Sequence, residues 1–229
     1  MEENFDFELL FPEQPAQPEP EPQPEPQAEL QPEEKTKKKK LTAAQSFFKD
    51  ARDVLVIVCA FMLVYVLFFR TVVVDGSSMF DTLAHGDYLL ILNNLVYQEP
   101  KAGDIIVASK DSFRGGACII KRVIATEGQE VDIDFDSGTV YVDGKPLDEP
   151  YVFSPTNRPE GMKFPLIVDA GCIFVMGDNR MESMDSRDPA IGLIDKREVL
   201  GRALVLLWPG TGKGEYVTDF DLGRIGVIE

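Results

Sequence analysis

The sequence predicts a mainly β domain behind a single N-terminal transmembrane helix. Three observations carry this. Val54 to Phe69, "VLVIVCAFMLVYVLFF", is a run of sixteen residues without a charge. The stretch just before it, 35–53, holds seven basic and two acidic residues. Beyond the run come short apolar, β-branched segments separated by turn residues.

Each element can be justified in chain order. Residues 1–34 hold eight of the sixteen prolines, eleven acidic residues and no Lys or Arg. Proline removes backbone donors and glutamates repel one another, so this segment predicts a disordered, acidic, Pro-rich arm. Its apolar patch, "NFDFELLF" at 4–11, reads either as a docking motif or as a mobile terminus. Residues 35–53 form a basic juxtamembrane segment opened by "KTKKKK".

A bilayer asks for about 20 apolar residues. Arg70 can snorkel to the interface and "TVVV" continues the apolar character, which places the anchor at 54–73. A buried core helix would be apolar along one stripe, and this run is apolar all round. A cleaved signal would lie nearer the terminus and be followed by an A-x-A. The positive-inside rule then puts 1–53 in the cytoplasm and 74–229 outside, in a single-pass cell-membrane protein.

The outer part reads as strands at 87–92, 104–109, 117–126, 130–135, 139–144, 172–177 and 202–208. "DFDSGTVYVDGKPL" reads as a hairpin, with Asp-Ser-Gly and Asp-Gly supplying the turns. A moderate helix signal lies at 195–201, and "PGTGKG" at 209–214 reads as a surface loop.

From Val54 onward there are 16 basic and 26 acidic residues, a formal charge of −10. That balance excludes a nucleic-acid binder, which needs a basic footprint. Cys59, Cys118 and Cys172 are too few and too scattered for a disulfide framework or a zinc cluster, and a Cys118–Cys172 pair stays open. No cofactor and no metal is called for.

"GSSM" at 76–79 raises the question of a nucleophile, because a serine needs a base to take its proton. The one histidine, His85, reads as an exposed loop residue rather than that base. A lysine serves if burial makes it neutral. Lys121 differs from the other lysines. It sits inside "ACIIKRVIAT" and, by strand alternation, shares a face with Ile119 and Val123. Such a lysine is costly unless neutral or paired; the other reading is an edge-strand lysine facing water. "GDNRMESMDSRD" at 177–188 is either a solvated loop with weak Asp–Arg pairs or the buttress of a site.

Taken together these segments resemble the bacterial type I signal peptidases, in their compact Gram-positive-like form. "GSSMFDTLAHGD" resembles the family box S-M-x-P-T-L, "KRVIATEGQEV" the box with the lysine, and "GDNRMESMDSRDPAIGLI" with "GRALVLLWP" the box G-D-N-R-x-x-S-x-D-S-R and its following strand. The resemblance implies a β-barrel or β-sheet catalytic domain with a Ser–Lys dyad. Ser78 is then the nucleophile and Lys121 the general base. Ser183 would hydrogen-bond and orient the lysine. Asp185 and Arg187 would form a structural ion pair, and Asp178 and Arg180 the turn that shapes the site. The oxyanion would meet the backbone of Ser78 and Gly76. Val72, Val74, Met79, Leu83 and Ile120 would line pockets for the small residues of an A-x-A cleavage signal. Implied partners are signal peptides of secreted preproteins, the lipid bilayer and the secretion translocon.

Two positions depart from the family pattern. Asp81 and Asp195 stand where prolines are usual, and loss of a fixed φ at Asp81 is expected to loosen the turn behind the nucleophile. The short segment between Lys121 and Gly177 implies no large accessory β-domain. Competing readings are a self-cleaving repressor-type peptidase and an inactive membrane-anchored binding module derived from this family. The first should carry a helix-turn-helix and no membrane span. Retention of Ser78, Lys121 and Ser183 argues against the second.

Overall fold

The computed structural model of the protein describes residues 42–113 and 115–228. The acidic arm, its apolar patch and the lysine block at 35–40 lie outside the described residues. The chain divides into units 1–46 and 47–229. In the first, Thr42 and Gln45 exchange hydrogen bonds, Thr42 N–H to Gln45 Oε1 at 3.1 Å and Gln45 N–H to Thr42 Oγ1 at 3.4 Å. That is a capping box, and it opens helix α1, Ala43–Phe68.

The helix starts earlier and stops sooner than the predicted span of 54–73. Its start is early because Thr42 caps it and good helix formers come next. Residues Gln45–Phe68 are long and apolar enough to cross a membrane, and none of the most apolar stretch is buried. Its end is early because Phe69–Val73 form strand β1, pairing antiparallel with strand β2, Tyr88–Asn93. The backbone donors of "FRTVV" are satisfied by a neighbouring strand rather than by another helical turn.

The remaining strands are β3 Ile105–Ser109, β4 Cys118–Thr126, β5 Glu130–Asp134, β6 Thr139–Val142, β7 Lys145–Pro146, β8 Leu166–Ile167, β9 Cys172–Met176, β10 Ile194–Asp195, β11 Val199–Trp208, β12 Gly212–Lys213, β13 Tyr216–Val217 and β14 Gly226–Val227. The fold is mainly β, as the sequence predicts. The large sheet runs β1-β2-β11-β3-β4-β9-β10, with β14 added on β11. A smaller sheet runs β7-β6-β5-β8, and its β5–β6 pair is the predicted hairpin.

Strand β3 shows why the large sheet holds. Ile105 and Val107 enter one buried cluster with Val74, Met79, Leu83, Leu89 and Leu206. Ile106 and Ala108 enter another with Ile119, Val123, Ile173, Val175 and Ile194. Both faces are covered, so the strand reads as a continuous apolar run. A third cluster, with Val131, Val140, Phe174 and Met176, seats the small sheet.

Three local expectations change. The helix signal at 195–201 yields one 3₁₀ turn, Lys196–Glu198, because Val199 onward is claimed by β2 and β3. Its cap is Asp195, whose carboxylate accepts the Arg197 N–H at 2.8 Å while Glu198 accepts the Asp195 N–H at 3.0 Å. A proline there would bring no donor to satisfy; here Glu198 satisfies it. "PGTGKG" is not a plain surface loop: Pro209 and Gly210 are buried, and the Gly210 N–H donates to Asp87 at 2.6 Å. All three cysteines are free thiols.

Candidate active site

Lys121 lies on β4, an interior strand between β3 and β9, not on an edge. Its side chain is 4% exposed. Its Nζ is 2.7 Å from the Oγ of Ser78, which lies on the loop between β1 and β2, 43 residues back in the chain. The same Nζ donates to the Ile120 carbonyl at 3.1 Å. Burial pulls the lysine down to about 8, against the opposing charges of Asp185, Asp178 and Glu160 and with help from Arg187. A largely neutral amine at hydrogen-bond distance from a hydroxyl is what a lysine base requires.

The segment 177–188 is not a solvated loop. Asp178, Asn179, Arg180, Ser183, Asp185, Ser186 and Arg187 are all buried. Asp185 takes Arg187 in a fork, Nε to Oδ1 and Nη2 to Oδ2, both at 2.9 Å. Burial opposes ionisation of Asp185, but Arg187, the Gly177 N–H and the nearby Ser183 hydroxyl outweigh it and hold the carboxyl below its usual range. Asp178 does not pair with Arg180. It takes Arg122 in a second fork, and Thr82 Oγ1 donates to it at 2.6 Å. Arg180 goes to Glu149 at 2.6 Å, Thr156 at 2.7 Å and the Gly177 carbonyl at 3.0 Å.

Ser183 is buried against Gly177, yet its hydroxyl makes no hydrogen bond of acceptable geometry, to Lys121 or to any other described residue. The expected Ser183–Lys121 bond is therefore not formed; the lysine spends its contacts on Ser78 and the Ile120 carbonyl.

The nucleophile loop is pinned from both sides. Asn179 donates its backbone N–H to the Ser78 carbonyl at 3.0 Å and its Nδ2 to the Ser77 carbonyl at 3.2 Å. On the other side the Gly76 N–H donates to His85 Nδ1 at 3.2 Å. That N–H is thus committed, which corrects the expectation that Gly76 offers an oxyanion donor. Asp81 does not leave the turn loose, because Leu83 N–H to Met79 O at 2.8 Å, Phe80 N–H to Ser77 O at 3.1 Å and the Thr82–Asp178 bond hold it.

A cleft of about 630 Å³ opens over Ser78 and Lys121. Val72, Val74, Met79 and Ile120 line it, as predicted. Leu83 does not. The Met79–Leu83 turn points it into the core, where it is 1% exposed. Sequence reasoning missed Arg122, Asn179, Thr82, Glu149 and Thr156 as supports. The signal available for the first three was their place inside the quoted boxes; Glu149 and Thr156 carried none.

A half-buried serine on a near-neutral buried lysine is an arrangement suited to hydrolase chemistry. The comparisons agree on the class. A family model for signal peptidases, peptidase S26, matches residues 48–208. Signal peptidase I of Bacillus licheniformis is 35% identical over 182 residues, covering 76% of this chain and 95% of that protein. Signal peptidase I T of Bacillus subtilis (strain 168) is 32% identical over 184 residues, covering 76% of this chain and 90% of that protein. A solved signal peptidase I from Enterococcus faecalis V583 is 30% identical and covers 45% of this chain and 96% of that chain, at a TM-score of 0.38. The chain belongs to the signal peptidase family, peptidase S26.

Proposed function

We propose that the protein is a membrane-anchored serine endopeptidase that removes N-terminal signal peptides from exported preproteins, after small residues of the A-x-A type. The observation that carries this reading is the 2.7 Å approach of Lys121 Nζ to Ser78 Oγ, with the lysine drawn down to about 8. Neutral Lys121 takes the Ser78 proton as Oγ attacks the scissile carbonyl. The ammonium so formed gives the proton to the leaving amine, and an acyl-enzyme remains. Water, deprotonated by Lys121, then releases the signal peptide as a carboxylate. The Ser78 N–H is one oxyanion donor.

Val72, Val74, Met79 and Ile120 form shallow apolar walls that suit Ala at −1 and −3 and exclude larger side chains by overpacking. The substrate binds as an added strand along β1, with backbone bonds supplying affinity. Ser183, Asp185, Arg187, Asp178 and Arg180 support the dyad. Helix α1 crosses the bilayer, with 1–53 cytoplasmic and the β domain outside, and the translocon delivers the substrate. Supporting the membrane placement, Ile57, Phe61, Leu63 and Val66 are exposed along a helix preceded by a basic block.

The test is preprotein cleavage by the purified full-length protein. Ser78→Ala and Lys121→Ala are each expected to lose about 10³-fold or more. Cleavage by either at the parent rate ends this reading.

A further inference from the structure

We propose that His85 is a positioning residue, whose Nδ1 sets the peptide plane two residues before Ser78. The inference rests on Ser78 being the nucleophile. Between β1 and Ser78 the backbone is fixed almost everywhere. Val74 is held on both sides, donating to the Asp87 carbonyl and accepting the Gly86 N–H, each at 2.9 Å. The Ser77 and Ser78 carbonyls are held by Asn179. Between these anchor points lies the Asp75–Gly76 peptide. Gly76 has φ +115°, a conformation that favours glycine, and nothing lies within 4 Å of where a Cβ would be. No packing restrains that plane. The bond given for it is Gly76 N–H to His85 Nδ1 at 3.2 Å.

The imidazole stands on a rigid base. Asp87, fully buried, accepts from Ala84 N–H at 2.8 Å, Gly210 N–H at 2.6 Å and Arg224 Nη2 at 2.7 Å. The His85 carbonyl accepts the Gly212 N–H at 3.1 Å. The ring therefore reaches Gly76 from a fixed platform. Asp75 Oδ1 is a rival for the same nitrogen, at 3.3 Å. The two uses exclude each other: Nδ1 accepts from Gly76 as a lone pair and donates to Asp75 as an N–H. Asp75 is 83% exposed and satisfied by water, so its pair with His85 is worth little. A partly buried backbone N–H needs its acceptor more. The Gly76 bond prevails, with the ring neutral and its proton on Nε2.

Three substitutions in the full-length protein test this. Asparagine carries an oxygen where Nδ1 stands, whereas glutamine reaches to the place of Nε2. His85→Ala and His85→Gln are expected to lower kcat about 5- to 10-fold, the size of one ordinary hydrogen bond, with KM within about twofold. His85→Asn is expected to keep at least half of the parent kcat. An unchanged His85→Ala overturns the inference, as does His85→Asn falling as far as His85→Ala, or His85→Gln matching His85→Asn. Failure of the Ser78 reading is separately visible, as cleavage that survives Ser78→Ala.

Discussion

Arg122 grips Asp178 through two parallel hydrogen bonds, Nε to Oδ1 at 3.0 Å and Nη2 to Oδ2 at 2.8 Å, and both side chains are withdrawn from solvent. One residue comes directly after Lys121 on β4; the other comes directly after Gly177, beyond β9. The fork therefore locks the lysine strand to the buried segment that holds Ser77 and Ser78. Removing one partner strands a buried charge. Asp178→Ala is expected to cost about 3–5 kcal/mol in denaturant unfolding. Asp178→Asn, which keeps the shape and two polar atoms, is expected to cost less. Equal stability of Asp178→Ala and the parent would show that the fork holds nothing.

Lys121 sets the pH dependence. With a value of about 8 in the folded protein, kcat/KM is expected to rise tenfold per pH unit below that point and to level above it. A flat profile between pH 6 and pH 8 would exclude a lysine base.

The same lysine lowers stability. Its folded value lies below the ordinary 10.5, so between pH 8 and 10.5 the unfolded chain binds more protons. Stability therefore rises with pH in that window, and the whole penalty applies below pH 8. Lys121→Met is expected to be inactive yet more stable at pH 7, by no more than about 3 kcal/mol. The gain should fade toward pH 10.5, as measured by chemical unfolding across pH.

Gly177 separates the dyad from its support. A Cβ there would collide with the Ser78 carbonyl oxygen and with Ser183 Oγ. The Ser78 carbonyl is backbone and pinned by Asn179, so it cannot give way cheaply. Gly177→Ala is expected to lose about 1–3 kcal/mol of stability and to lose cleavage beyond what that instability explains. Parent-like kcat would mean that the loop carrying Ser78 tolerates a shift.

Where the anchor ends matters for a soluble form. A chain starting at Phe69 keeps β1 and its pairing with β2. It is expected to stay in solution without detergent and to cleave a signal peptide. A chain starting at Val74 lacks Val72 and the β1 edge, and its kcat/KM is expected to fall about 10- to 100-fold. Equal activity of the two would remove β1 from the substrate site.

Much of this protein is written locally. The apolar run, the basic block, the hairpin at 130–142 and the buried character of β3 and β4 can be read from composition and period, because burial of one face or two imposes its own pattern. The pairing of Ser78 with Lys121 was legible only because an interior strand does not ordinarily hold a lysine. The end of α1 was not legible. "FRTVV" is as apolar as the helix before it, and pairing with β2 alone makes it a strand. The same competition reduced the helix signal at 195–201 to one turn.

The sequence by itself determined which residues must be buried, and therefore that Lys121 had to be neutral or paired. Tertiary structure decided who meets whom. Asp178 joins Arg122 rather than its near neighbour Arg180, Arg180 turns to Glu149 and Thr156, Gly76 finds His85, and Leu83 turns into the core. These choices rest on contacts between segments far apart in the chain. A buried charge takes whichever opposite charge the packed strands bring within reach, and no local pattern encodes that.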